Sequence, residues 1–153
     1  MFLKTNQNLK NNDSTLFFSF LFKKIISHLM QDGKKFKAEI ILKKVLIRIS
    51  LQNYSPVNVL ILATNNTKPL LEVRNVRIKG KAFQVPFPIL LSRQITSSFR
   101  ILLSSFDGKK KFEDFLVEEW INSSVGKSQS VKATVSLHKL ASQNRLFARF
   151  RWF

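Results

Sequence analysis

Through most of the chain the apolar residues cluster at spacings of three and four, and only between Leu71 and Ile89 does the pattern change to alternation. The helical spacing predicts helices over Leu16 to Met30, Lys34 to Leu51 and Val57 to about Asn65, then over Ser92 to about Ser105, Lys111 to Asn122 and about Ser130 to Arg149. Their limits are marked by Asp32-Gly33 as a stop, Ser55-Pro56 as a start, Asn65-Asn66-Thr67-Lys68-Pro69 as a second stop, and Ser92 as a cap. In the second helix the repeat runs Ile40, Ile41, Val45, Leu46 and Ile49, and the first two helices are expected to form a tight pair. In the fourth, Ile95, Phe99, Leu102 and Leu103 are expected inward. The sixth carries two stripes: Leu137, Leu140, Ala141, Asn144, Phe147 and Ala148 to pack, and His138, Ser142, Arg145 and Arg149 to bind.

The alternating segment reads LEVRNVRIKGKAFQVPFPI. Phe83, Val85, Phe87 and Ile89 alternate with Gln84, Pro86 and Pro88, and Gly80 can take the positive φ of a tight turn. The segment is therefore a two-stranded hairpin, residues 70–89, with Arg74, Arg77, Lys79 and Lys81 around its turn. Pro86 and Pro88 lack donors on the same edge, so that edge cannot be paired in a larger sheet. An isolated ribbon is marginal, which predicts support from helices at its base and from a partner at its tip. The plainer alternative is an edge hairpin whose basic residues are merely solvated. The expected architecture is mainly α, with six helices and a protruding two-stranded arm between the third and fourth.

Composition sharpens this picture. With 153 residues and 44% hydrophobic residues the chain fits one domain with an ample core, taken as residues 15–153 behind a polar, flexible N-terminal arm of residues 1–14. Against 26 Lys and Arg stand 9 Asp and Glu, a net charge of +17 that favours a polyanionic partner, nucleic acid first, and opposes self-association into a homo-oligomer. Glu72 is the one acid between Ile40 and Phe106, and none follows Glu119. Glu113, Asp114, Glu118 and Glu119 mark the fifth helix as the face least suited to phosphate. The absence of cysteine excludes disulfides and thiolate metal sites. Few Ala, Gly and Pro beside abundant Phe, Lys, Asn and Ile suggest an A+T-rich coding sequence, as organelle genomes often have. Lys23-Lys24 interrupts the run from Leu16 to Met30, so no uninterrupted stretch is long enough to span a bilayer. The first arginine is Arg48, a poor fit to an Arg-rich import peptide, so an organellar protein would be expected to be made in the organelle.

No catalytic constellation emerges. Gly126-Lys127-Ser128 resembles the end of a phosphate-binding loop, but Ile121 stands where the earlier glycine is required and no strand precedes it. His28 and His138, the two histidines, lack a Cys or carboxylate at ligand spacing, so neither a metal, a triad nor any cofactor is expected. His138 is read as a hydrogen-bonding or phosphate-contacting group, Asn144 as a buried hydrogen-bonding amide, and Glu118 with Glu119 as a solvated acidic face or a contact for a basic neighbour. Phe147, Phe150, Trp152 and Phe153, interleaved with Arg149 and Arg151, suit stacking on bases and suit sealing a core equally well. Two rival functions remain: a membrane-surface protein anchored by residues 16–30, and an RNA-processing enzyme, for which no paired carboxylates or His cluster are present.

Three blocks of residues carry a family resemblance. They are Met30-Gln31-Asp32-Gly33-Lys34-Lys35 with Ala38 and Glu39; Pro69 through Pro86, with Glu72-Val73-Arg74, Arg77, Gly80 and Gln84-Val85-Pro86; and His138 through Trp152, with Ala141, Asn144-Arg145, Phe147-Ala148 and Arg151-Trp152. In this order and spacing the chain, from about Leu16 to Trp152, resembles small-subunit ribosomal protein seven in its bacterial and organellar form. The resemblance implies a six-helix bundle with a protruding hairpin, bound to the 3′ major domain of the small-subunit ribosomal RNA, where it nucleates assembly of the head. It also implies a hairpin near the exit-site transfer RNA and departing messenger RNA, with proteins nine, eleven, thirteen and nineteen as neighbours. The expected setting is the mitochondrial ribosome, with plastid or bacterial cytoplasm as alternatives. The RNA-binding residues expected are Lys34, Lys35, Arg74, Arg77, Lys79, Lys81, Arg93, Arg100, Lys132, His138, Arg145 and Arg149. The chain departs from the family in a weakly basic start, MFLKTNQNLKNND, in Arg93-Gln94 where Arg-Arg is usual, and in a basic cluster reduced to Lys132 at the sixth helix.

Overall fold

A computed structural model describes residues 18–151. The N-terminal arm expected over residues 1–14, the start of the first helix, and Trp152 and Phe153 lie outside the described residues. Helix α1 covers 18–29, followed by α2 (Lys35–Leu51), α3 (Pro56–Thr67), strands β1 (Leu71–Ile78) and β2 (Lys81–Pro88), α4 (Leu91–Ser104), α5 (Phe112–Ser124), α6 (Gln129–Gln143) and a 3₁₀ helix (Arg145–Phe150). The mainly α architecture, with a two-stranded hairpin between the third and fourth helices, is therefore the one expected.

One core joins Leu21, Ile25 and Ile26 of α1 to Ala38, Leu42, Val45 and Ile49 of α2, Val59 and Leu60 of α3, Phe99 and Leu102 of α4, and Leu116, Val117 and Trp120 of α5. Asp32 and Gly33, both at positive φ, turn the chain between α1 and α2 so that both helices reach this core. The inward stripe of α2 is Ala38, Leu42, Val45 and Ile49, which takes in only part of the apolar repeat. Ile40 is exposed and Ile41 and Leu46 are half-buried, while Ala38 and Leu42 are buried. The helix is apolar on two sides, so periodicity alone does not choose the inner one.

Helix α3 runs two residues past its expected end at Asn65, because the polar residues there are satisfied within the fold. The Thr64 and Thr67 hydroxyls donate to the Leu60 and Ala63 carbonyls, both at 2.7 Å, and the Asn66 amide donates to the Ser123 and Ser124 carbonyls at 2.9 and 3.0 Å. Leu90, not Ser92, occupies the cap position of α4. The sixth helix is broken at Asn144 into α6 and the 3₁₀ helix. Of its expected packing stripe only Ala141 is buried, and the inner face is largely polar. The carboxylate of Glu119 accepts the Ser130 N–H at 3.0 Å and the Ser130 hydroxyl, and the Thr134 hydroxyl donates to the Thr67 carbonyl at 2.9 Å. Glu119 is thus buried and bonded to the start of α6, which corrects its reading as part of a solvated acidic face.

The hairpin register pairs Ile78 with Lys81, leaving Lys79 (φ +47°) and Gly80 (φ +82°) as a two-residue loop. Two consecutive positive φ values make it a type I′ turn, whose twist matches that of the strands. Ile89 N–H donates to the Leu70 carbonyl at 3.1 Å, so by alternation the nitrogens of Pro86 and Pro88 face the outer edge, which pairs with no further strand among the described residues. Near the base the expected alternation of burial fails: Val85, Pro86 and Phe87 are all buried, because both faces of the strand are covered there.

Candidate nucleic-acid interface

The hairpin stands on the last segment of the chain. His138, half-buried on α6, accepts the Leu70 N–H through Nε2 at 3.0 Å, at the entrance to β1. The Asn144 amide donates to Gln84 Oε1 at 3.2 Å and to the Leu140 carbonyl at 2.9 Å. Phe83 packs on Phe147 and Phe150 with ring centroids 5.2 and 5.6 Å apart. These contacts hold β2 to within three residues of the turn, so only the tip projects: Arg77, Lys79, Gly80, Lys81 and Ala82 are exposed. Of the two roles read for His138, hydrogen bonding is the one seen: Nε2 is engaged by the backbone, and His138 anchors the arm.

Around this arm the expected cations divide into two kinds. Arg74 and Arg93 are tied to the carboxylate of Glu72, Arg93 through Nε at 3.0 Å, and the Arg74 guanidinium also lies over the Phe87 ring at 5.0 Å. Strand β1 and the start of α4 thereby hold two guanidinium groups, each about half exposed, as one fixed unit. Arg77, Lys79, Lys81, Arg100, Lys132, Arg145 and Arg149 are exposed and make no ion pair with any described acid. The Arg149 guanidinium rests over the Phe150 ring at 5.0 Å, which orients it beside the arm. Arg145 and Arg149 thus share the 3₁₀ segment that packs against β2.

Arg100 lies elsewhere, on α4 facing α1. There burial of His28 lowers its pKa below the usual 6.5, and the positive charges of Arg100 and Lys24 push it the same way. Lys34 and Lys35 sit at the turn into α2, with Asp32 at 3.2 Å from Lys34 and Glu39 at 3.9 Å from Lys35. Lys132 stands on the outer side of α6.

The acids are mostly spent away from the arm. Glu113 pairs with Lys44 at 3.2 Å and Arg48 at 3.1 Å, Asp114 pairs with Arg48, and Glu118 pairs with Lys110. Lys44, Arg48 and Lys110 on the α2 and α5 side are thus paired internally, while the cations of the hairpin tip and the 3₁₀ helix pair with no described acid. Gly126-Lys127-Ser128 is a capping turn: the Ser128 hydroxyl accepts the Val131 N–H at 3.1 Å and the Ser123 hydroxyl at 2.9 Å. Sequence reasoning missed the pairing of Glu72 with two arginines and the packing of Phe83 on Phe147 and Phe150. The signal for the first was Glu72 itself, a lone acid in a long basic stretch.

The family model for ribosomal protein S7p/S5e matches residues 3–145. Among similar proteins is the small ribosomal subunit protein uS7 of Phytoplasma australiense, 35% identical over 144 residues that cover 92% of each chain. That of Petrotoga mobilis is 35% identical over 135 residues, covering 86% of this chain and 87% of its own. That of Pelagibacter ubique is 34% identical over 140 residues, covering 90% of each.

Proposed function

Because the chain belongs to the ribosomal protein S7p/S5e family, and so is a structural, non-enzymatic component of the small ribosomal subunit, we propose that it binds the 3′ major domain of the small-subunit RNA and organises assembly of the head around it. The observation that carries this reading is the exposed charge of Arg77, Lys79, Lys81, Arg145 and Arg149 about one braced hairpin, paired with no described acid. Lys and Arg neutralise phosphates and release counterions, and the braced arm presents them in a fixed shape that suits folded RNA. The hairpin tip lies near the exit-site transfer RNA and the leaving messenger RNA, with proteins nine, eleven, thirteen and nineteen as head and platform neighbours. We place the chain in a mitochondrial ribosome on the A+T-rich character of its composition; the similar proteins named above are bacterial, which keeps the bacterial cytoplasm and the plastid as the alternatives.

The membrane-anchor alternative loses its apolar face, since Leu21, Ile25 and Ile26 of α1 are spent in the core. Among the described residues no single helix is long and apolar enough to cross a membrane. The test is binding of the full chain to small-subunit RNA as a function of salt. With six to ten phosphates engaged, raising salt from about 50 to 200 mM weakens binding by about 10³ to 10⁵, and an affinity indifferent to salt overturns the reading.

A further inference from the structure

Helix α2 is apolar on two opposite sides. Its core stripe is Ala38, Leu42, Val45 and Ile49. At about 100° per residue, Phe36, Ile40, Ile47 and Leu51 fall within an arc of about 60° on the other side of the helix. They are exposed to 73, 37, 61 and 77%, respectively. Phe36, Ile40, Lys43 and Ile47 follow one another at spacings of four, three and four, the seam of a coiled coil, and Leu51 extends it to about 22 Å.

We propose that this outer seam of α2 docks an amphipathic helix of another small-subunit protein, one that carries an acidic residue opposite Lys43. The inference rests on the chain's place in the small subunit. Charge decides among the possible occupants. Lys43 stands exposed in the middle of the seam and pairs with no described acid, so a partner that covers it must bring a carboxylate. A second copy would set lysine against lysine at +17 on each chain. Residues 1–17 bring Lys4 and Lys10 against Asp13, again net positive. RNA gains nothing from Ile40, Ile47 and Leu51, which offer neither charge nor donor. An anionic bilayer would meet Glu39 on one flank and, on the other, Glu113 and Asp114 beside Lys44 and Arg48. The seam is one residue wide, which suits a single helix and not a lipid surface.

The chain has no cysteine, so Ile47→Cys in the full-length protein introduces a unique thiol at an exposed position. Maleimide labelling is followed in the free chain, in its complex with small-subunit RNA, with vesicles containing anionic phospholipid, and in gradient-purified small subunits. The expected result is rapid labelling in the first three and its loss in the subunits. Adding Lys43→Glu restores labelling in subunits that still contain the chain, whereas Lys43→Arg leaves it protected. Labelling that persists in subunits overturns the proposal, as does protection by RNA alone, by vesicles, or in the free chain. Concentration dependence of protection in the free chain assigns the face to a second copy, and its absence assigns it to residues 1–17. Protection unaffected by Lys43→Glu overturns the acidic partner. A chain absent from the subunit fraction overturns the functional reading itself, which gradient sedimentation reads independently of labelling.

Discussion

Glu72 concentrates the residue-scale chemistry. Its largely buried carboxylate holds Arg74 from its own strand and Arg93 from the next helix, so two cations that would otherwise swing freely keep one geometry. Glu72→Gln removes ion pairs whose arginines are solvent-exposed, at a cost of about 1 kcal/mol or less in a denaturant titration. The larger effect is expected in the ratio of affinities for cognate and non-cognate RNA, which falls because the freed arginines meet any phosphate equally well. An unchanged ratio would show that Glu72 contributes only to folding. His28 is the second residue with a directional consequence. Its pKa is lowered in the folded chain, so the unfolded state binds the proton more readily. The stability contributed by neutral His28 is fully present above its ordinary pKa of about 6.5 and is lost as pH falls from there through the lowered folded value. Urea midpoints of the free chain are expected to drop across that window, and His28→Gln to flatten the drop; parallel profiles for the two proteins would exclude His28 as its source.

At the scale of elements, the hairpin and the end of the chain form one device. The residues between Leu71 and Ile89 announced a ribbon through alternation, glycine and proline, all local signals. What braces it came from residues some sixty positions away: His138 on the Leu70 N–H, Asn144 on Gln84, and Phe147 and Phe150 on Phe83. His138 and Asn144 were legible as polar residues in need of partners, but not which partners. The break at Asn144 was hidden because a helical repeat continues through it, and the 3₁₀ geometry instead suits the approach of Phe147 and Phe150 to the arm. Replacing Arg74, Arg77, Lys79 and Lys81 with alanine is expected to leave the helical circular dichroism unchanged. It should reduce the salt dependence of RNA binding by about 3 in log–log slope if all four meet phosphate. Incorporation into small subunits should fall with it, and wild-type binding and assembly would remove the hairpin from the interface.

For the whole molecule, +17 sets opposite salt dependences on folding and on binding. The free chain repels itself, so its thermal midpoint is expected to rise as salt increases from about 50 to 500 mM, while RNA affinity falls over the same range. A midpoint independent of salt would mean that the internal pairs of Lys44, Arg48 and Lys110 already offset the repulsion. By itself the sequence determined the helical class, the place and turn of the hairpin, the large positive charge and the family, because periodicity, turn chemistry, charge and ordered motifs are local or additive properties. Only the tertiary structure decided which of two apolar faces of α2 enters the core, that Glu119 is buried at the start of α6, and that Arg74 and Arg93 share one carboxylate. Those outcomes depend on which distant groups come within hydrogen-bonding or packing distance, and a linear pattern does not contain that distance.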